Sequence, residues 1–184
     1  MSTAVPEHHS LAIVKAAFPG VRLQAAEFRG MVTLAAPATA LHGVLRLLRD
    51  HPDCDYNFLA DVTAVDYLGY PAPTEARFSV VYCLLSHRWD RRLTVKTWLN
   101  PSGETLSNAS DPALQVESVT DIWPGAEWLE REVYDMYGIR FLNHPDLRRI
   151  LLWKDFPAFP LRKDYPLRGR GEREHLHTLT RDSR

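Results

Sequence analysis

Ionisable side chains crowd the stretch from Glu130 to Arg149, and six of them could act together: Glu130, Glu132, Asp135, His144, Arg148 and Arg149. A carboxylate beside an imidazole is the minimum for general acid–base chemistry. Carboxylates beside arginines are instead the minimum for a charge-assisted lock. Spacing separates the two. Glu130 and Glu132 are two positions apart on what reads as a helix, so they point in different directions and are no carboxylate pair. No HExxH and no nucleophile elbow accompanies them. The set therefore reads as an acidic helix face, either solvated or paired with Arg148 and Arg149. Pro145 holds His144 extended, and its ring is expected to lock a turn by bonding a carboxylate or a carbonyl; a proton relay is the alternative.

Other chemistry has little support. There is no GxGxxG after a strand and no phosphate loop, so nucleotide binding is not indicated. Iron–sulfur ligation needs several closely spaced thiolates, and Cys54 and Cys83 are isolated. His8-His9 and the His175/His177 pair fall in polar ends and lack the four ligands of structural zinc. The residues thus assign no catalytic group, cofactor or metal to this chain.

Hydrophobic residues make up 45% of the 184, enough for a packed core, and the net charge of −1 argues against a nucleic-acid binder. The charge is uneven. Ten Lys/Arg face six Asp/Glu from Pro145 onward, against twelve and seventeen before it. An acidic body with a basic tail suggests electrostatic docking. No apolar run approaches a membrane span, and the first ten residues show neither a secretory nor a transit pattern. A soluble protein of a bacterial cytoplasm is expected.

Periodicity supplies the elements that must position these residues. Ser10 suits the cap of a short helix to Phe18. Two strands, 21–28 and 31–35, flank Arg29-Gly30. A helix from Pro37 to Asp50 repeats Leu41, Val44, Leu45 and Leu48. Strands follow at 57–67, 77–86 and 93–99. VVYCLL reads as a central strand buried on both faces, and the short polar link before Leu93 predicts an antiparallel hairpin. Pro124 opens a helix to Tyr137, with Trp128, Leu129, Val133 and Met136 on one side, a Glu127–Arg131 pair, and Gly138 as its stop. Asp146 is placed to cap a short helix to Leu152. The fold class expected is α+β: a mixed sheet packed by helices, then an extended C-terminal arm. The division expected is a flexible 1–9, an α+β domain over 10–143 and a docking arm over 144–184.

Pro157, Pro160 and Pro166 forbid regular structure in that arm. Trp153, Phe156, Phe159 and Tyr165 are too apolar for a free tail and are expected as anchors on another chain, with Arg162 and Lys163 meeting acidic groups at the rim and Asp164 a further docking residue.

EREVYDMYGIRF, HPDLRRILL and PLRKDYP, in this order over Trp123 to Pro166, resemble the signature of the C subunit of bacterial NADH-quinone oxidoreductase, the respiratory complex I family. The resemblance implies a component without a redox centre of its own. The FMN, iron–sulfur clusters and quinone of the complex would be held elsewhere. It implies a place in the hydrophilic arm against the quinone-site (D) component, near the iron–sulfur (B and I) components; the residues expected to dock there are Glu130, Arg131, Glu132, Asp135, His144, Arg148, Arg149 and the arm. It also implies a peripheral place on the cytoplasmic side of the inner membrane, reached only through the complex. The equivalent component of a membrane-bound hydrogenase or ferredoxin-fed relative is the second reading. A stand-alone enzyme using Glu130, Asp135 and His144 is the third. Ala158-Phe159 departs from the family's usual Gly-His before PLRKD, which puts an apolar contact where a polar one is expected.

Overall fold

The computed structural model describes residues 8–102 and 111–172. Residues 1–7 and 173–184, with His175 and His177, lie outside the described residues. The elements run α1 (His9–Ala17), β1 (Gln24–Phe28), β2 (Met31–Ala35), α2 (Ala38–Asp50), β3 (Phe58–Asp66), β4 (Phe78–Ser86), β5 (Arg91–Leu99), β6 (Gln115–Glu117), α3 (Ala126–Tyr137) and β7 (Arg140–Leu142). Five strands form a mixed sheet in the order β1-β2-β5-β4-β3. The α+β class read from the sequence holds.

Local rules explain most of this. Arg29 and Gly30 both take positive φ, 52° and 77°, which matches the twist of the β1–β2 hairpin they close. The helix α2 follows Pro37 and buries Leu41, Val44, Leu45 and Leu48 completely. It leads the chain away so that β2 and β5 can pair parallel. The strands β4 and β5 pair antiparallel from Phe78↔Leu99 to Ser86↔Arg91, as their short link requires. The strands β6 and β7 pair parallel, and α3 is the crossover between them.

Three local expectations fail. Ser10 lies inside α1 rather than capping it, and its Oγ shares a hydrogen bond with the Tyr56 hydroxyl at 3.1 Å. The strand β4 is central but buried on one face only: Tyr82 and Leu84 are buried, whereas Val81, Cys83 and Leu85 are half-buried. Trp128 is 67% exposed. The inner side of α3 carries Ala126, Glu130 and Val133 at helical spacing, so the buried stripe includes a charge that hydrophobicity alone does not reveal.

The segment 146–152 forms no helix, and the arm behind it folds back on its own body. Phe156, Ala158, Phe159 and Arg162 are buried within this chain. Phe156 and Phe159 are thus core groups here rather than anchors left open for a partner, and Arg162 is no rim residue. The last turn of α3 makes the seat. Gly138 closes that helix at φ 73°, and a Cβ there would stand 2.6 Å from both Arg162 Nη2 and Phe159 Cε2. Gly138→Ala is therefore expected to destabilise the fold by about 2 kcal/mol or more, through the left-handed backbone and the clash together. Urea unfolding measures this, and a change within about 0.5 kcal/mol, as at an ordinary surface site, would refute it.

Candidate functional site

Arg131 and Asp135, one helical turn apart on α3, face the arm together. Arg131 donates Nε and Nη2 to the carbonyls of Arg148 and Arg149, each at 3.2 Å. The Asp135 carboxylate accepts the amides of Ile150, Leu151 and Leu152 at 2.8–3.0 Å. One turn of helix thus satisfies acceptors and donors along five consecutive residues of chain. This is why the Asp146-capped helix does not form: the amides that would bond back along it already have a better acceptor. Asp146 instead pairs with Arg148 on the surface, and its amide donates to His144 Nδ1.

Arg149 completes the clamp. Its Nη1 donates to Asp135 Oδ1 at 2.6 Å, and its Nη2 donates to the carbonyls of Phe156 and Ala158 at 2.7 and 3.1 Å. The guanidinium lies 5.1 Å from the centre of the Phe159 ring, an attractive placement for a cation. Phe159 therefore supplies an apolar partner at the position where the departure from the family pattern implied one. Burial alone would raise the Asp135 carboxyl. The Leu152 amide, the Arg149 guanidinium and the Leu151 and Ile150 amides outweigh it and hold the group below the usual carboxylate range. Arg148 returns to none of the three helix acids, and Glu132 is exposed.

A second centre lies on the inner side of α3. Glu130 is fully buried and accepts from Ser118 Oγ at 2.6 Å and from the Val119 amide at 2.7 Å. His144 Nε2 donates to the Glu127 carbonyl at 3.0 Å and stands 3.9 Å from Glu130 Oε2. With Nδ1 accepting from Asp146, both ring nitrogens are engaged in the neutral Nε2–H form, and the turn-locking role read from the sequence is the one the ring performs. Burial pushes the Glu130 carboxyl up from 4.5 to about 7, the donations from Ser118 and Val119 oppose this only in part, and Asp121 adds to it. The His144 and Glu130 side chains have no exposed surface. The geometry seals them from any dissolved substrate, which removes the basis for a stand-alone enzyme built on them.

A third centre pins the arm to the sheet. Arg77 forks onto Asp66, with Nε to Oδ1 at 3.2 Å and Nη2 to Oδ2 at 3.0 Å, and also meets Asp164 at 2.8 Å. The Lys163 amide donates to Asp66 at 2.8 Å. Arg162 Nε donates to the Tyr137 carbonyl at 2.6 Å. Tyr165 is half-buried and donates to Glu172, while Trp153 packs edge-on against Phe156 with ring centres 4.7 Å apart. Sequence reading missed Asp66, Arg77 and Ser118. Their partners lie too far along the chain for any spacing rule to reach. Among the described residues, no group of three or more His, Cys, Asp or Glu could hold a metal, and no helix is long and apolar enough to cross a membrane.

Fold and clamps together define a class: an α+β module whose buried charges fasten a C-terminal strap and leave its remaining surface for contact. Known proteins narrow the class. A family model described as respiratory-chain NADH dehydrogenase, 30 Kd subunit, matches residues 34–171. The NADH-quinone oxidoreductase C subunit of Citrifermentans bemidjiense is 44% identical over 156 residues, covering 85% of this chain and 87% of that one. The C subunit of Roseiflexus castenholzii is 41% identical over 172 residues, 94% of this chain and 89% of that one. Among solved structures, the trypsin-resistant fragment (1-134) of Nqo5 aligns with a TM-score of 0.55 at 32% identity, covering 74% of this chain and 96% of the fragment. A chain of an archaeal membrane-bound sulfane sulfur reductase shares the fold, with a TM-score of 0.63 at 22% identity over 85% of this chain and 84% of that one. The chain belongs to the 30 Kd subunit family of respiratory-chain NADH dehydrogenases.

Two substitutions test the centres. Asp135→Ala strands three amides and a guanidinium and is expected to cost about 3 kcal/mol or more in urea unfolding; a loss under about 1 kcal/mol would contradict the clamp. Glu130 keeps its proton in the fold to higher pH than in the unfolded chain. Its contribution is therefore full below pH 4.5 and is lost as pH rises through about 7. The wild type should lose stability relative to Glu130→Gln between these values, by on the order of 3 kcal/mol. Parallel pH profiles of the two proteins would count against the buried-acid account.

Proposed function

We infer that this chain serves as a structural subunit of an NADH:quinone oxidoreductase and takes no part in electron transfer itself. The relatives named as the C subunit of that enzyme support this reading over the hydrogenase-type alternative. Within such an assembly the flavin, the iron–sulfur clusters and the quinone are held by other chains. The two cysteines here cannot gather a cluster: Cys54 lies in the core and Cys83 on the sheet. The chain reaches the membrane only through the complex, as a peripheral component on the cytoplasmic side of the inner membrane.

The docking element is the strap from His144 onward, and the quinone-site component, with the iron–sulfur components beside it, is the partner. One observation carries this. The strap is locked to the body from within, yet leaves Leu151, Leu161 and Leu167 exposed at 62%, 50% and 104%. Large apolar groups on a fixed backbone are prepaid in ordering entropy and suit a permanent interface. Glu132, Arg148 and Lys163 surround them with charge, and Trp153 and Tyr165 present their half-buried edges. The buried anchors Phe156 and Phe159, with Asp135, Arg149, Arg162 and Asp164, shape the surface from beneath instead of touching the partner.

Because the strap is part of the fold, its deletion would unfold what it is meant to test. Leu151→Asp with Leu161→Asp is the better probe. The isolated variant should keep its melting temperature, since both positions are exposed. In cells it should be retained by the complex about tenfold less than wild type, as at an interface hot spot, with a matching fall in NADH-to-quinone turnover. Assembly at the wild-type level would overturn the strap as the docking element.

A further inference from the structure

Among the described residues, the helices cover only one face of the five-stranded sheet. On the other face one rung runs across all five strands: Phe28 on β1, Met31 on β2, Arg92 on β5, Leu85 on β4 and Phe58 on β3. The pairings Phe28↔Met31, Leu85↔Arg92 and Phe58↔Leu85 fix it, and Met31, Arg92 and Leu85 line one cavity of about 470 Å³. Phe28, Met31 and Phe58 are 66%, 61% and 47% exposed. Arg92 is exposed at the centre of this row and forms no ion pair among the described residues.

We propose that this rung docks an amphipathic helix of another protein of the complex, whose apolar stripe covers Phe28, Met31, Leu85 and Phe58 and whose carboxylate meets Arg92. The proposal rests on the reading of the chain as a docked subunit and adds a second surface, remote from the strap. Charge selects the partner. Arg29, Arg88 and Arg92 stand at this end of the sheet with Asp61 and Asp90, while strand alternation places Glu27 and Arg91 on the opposite face. An isolated guanidinium within an apolar row is a composition that interface centres favour. Length selects a helix: five strands span about 19 Å across their hydrogen bonds, which about thirteen helical residues cover. A strand would need a free sheet edge, whereas this is a face. A second copy is disfavoured because a two-fold axis through the row would set Arg92 against Arg92.

The test uses the full chain and its assembled complex. A photo-reactive benzophenone amino acid introduced at position 31 reports what lies on the rung, and Arg92→Glu tests the charge. The isolated Arg92→Glu protein should melt as wild type does. In the complex its retention should fall about tenfold, the range of a close interfacial charge pair. The cross-link should map to a partner's amphipathic helix carrying Asp or Glu, and replacing that acid by Lys should restore retention of Arg92→Glu. Cross-linking to a second copy, or to residues 1–7, 103–110 or 173–184 of the same chain, would overturn the proposal. So would full retention of Arg92→Glu. If the strap variant is lost from the complex while Arg92→Glu is not, only this inference falls; if the wild-type chain is itself never retained, the subunit reading falls with it.

Discussion

One turn of α3 holds the molecule's two halves together. Arg131 takes two carbonyls of the strap, and Asp135 takes three amides and the Arg149 guanidinium. Buried backbone groups must be satisfied, and a segment punctuated by proline cannot satisfy its own. A helix that offers a cation and an anion four residues apart answers both needs along an irregular chain. Without it the strap would have to form its own hydrogen bonds or remain in water, and Phe156 and Phe159 would lose their seat. Gly138 follows from the same arrangement, because the strap passes too close to the helix end for a side chain.

The remaining buried charges extend this logic into the body. Glu130 ties α3 to the chain leaving β6, and Asp66 with Arg77 ties the strap to the sheet. Glu130 is closed by Ser118 and Val119, and Asp66 by Arg77, Leu68 and Lys163. The chain's relatives are subunits of a respiratory enzyme, and a rigid strap on a firm body is what a permanent neighbour requires. Breaking any buried pair would leave an uncompensated charge, which is far more damaging than removing a surface one.

The body is also asymmetric. Every helix that packs on the large sheet lies on one face, so alternate residues of β4 are buried while their neighbours stay half-open. The open face has hydrophobic and cationic residues in a single rung. In a free protein that surface would be a liability. In a protein that works inside an assembly it is a resource.

The sequence by itself determined the local periodicities. It identified α2 from its leucines, the β4–β5 hairpin from a short polar link, the end of α3 from Gly138, and the turn at His144-Pro145. Its unusual words between Trp123 and Pro166 carried the resemblance to the family. Only the tertiary structure decided which side of each element meets the core. VVYCLL reads as covered on both faces, yet it is covered on one, because the covering helices come from elsewhere in the chain. Asp146 to Leu152 looks ready for a helix, because Asp135 is out of sight of a local rule. The arm's aromatic residues look unpartnered, because the body that buries them is folded by other segments. Local preference amounts to fractions of a kcal/mol per residue. A buried carboxylate that collects three amides and a guanidinium outweighs it, and the partners it needs meet only once the chain has closed upon itself.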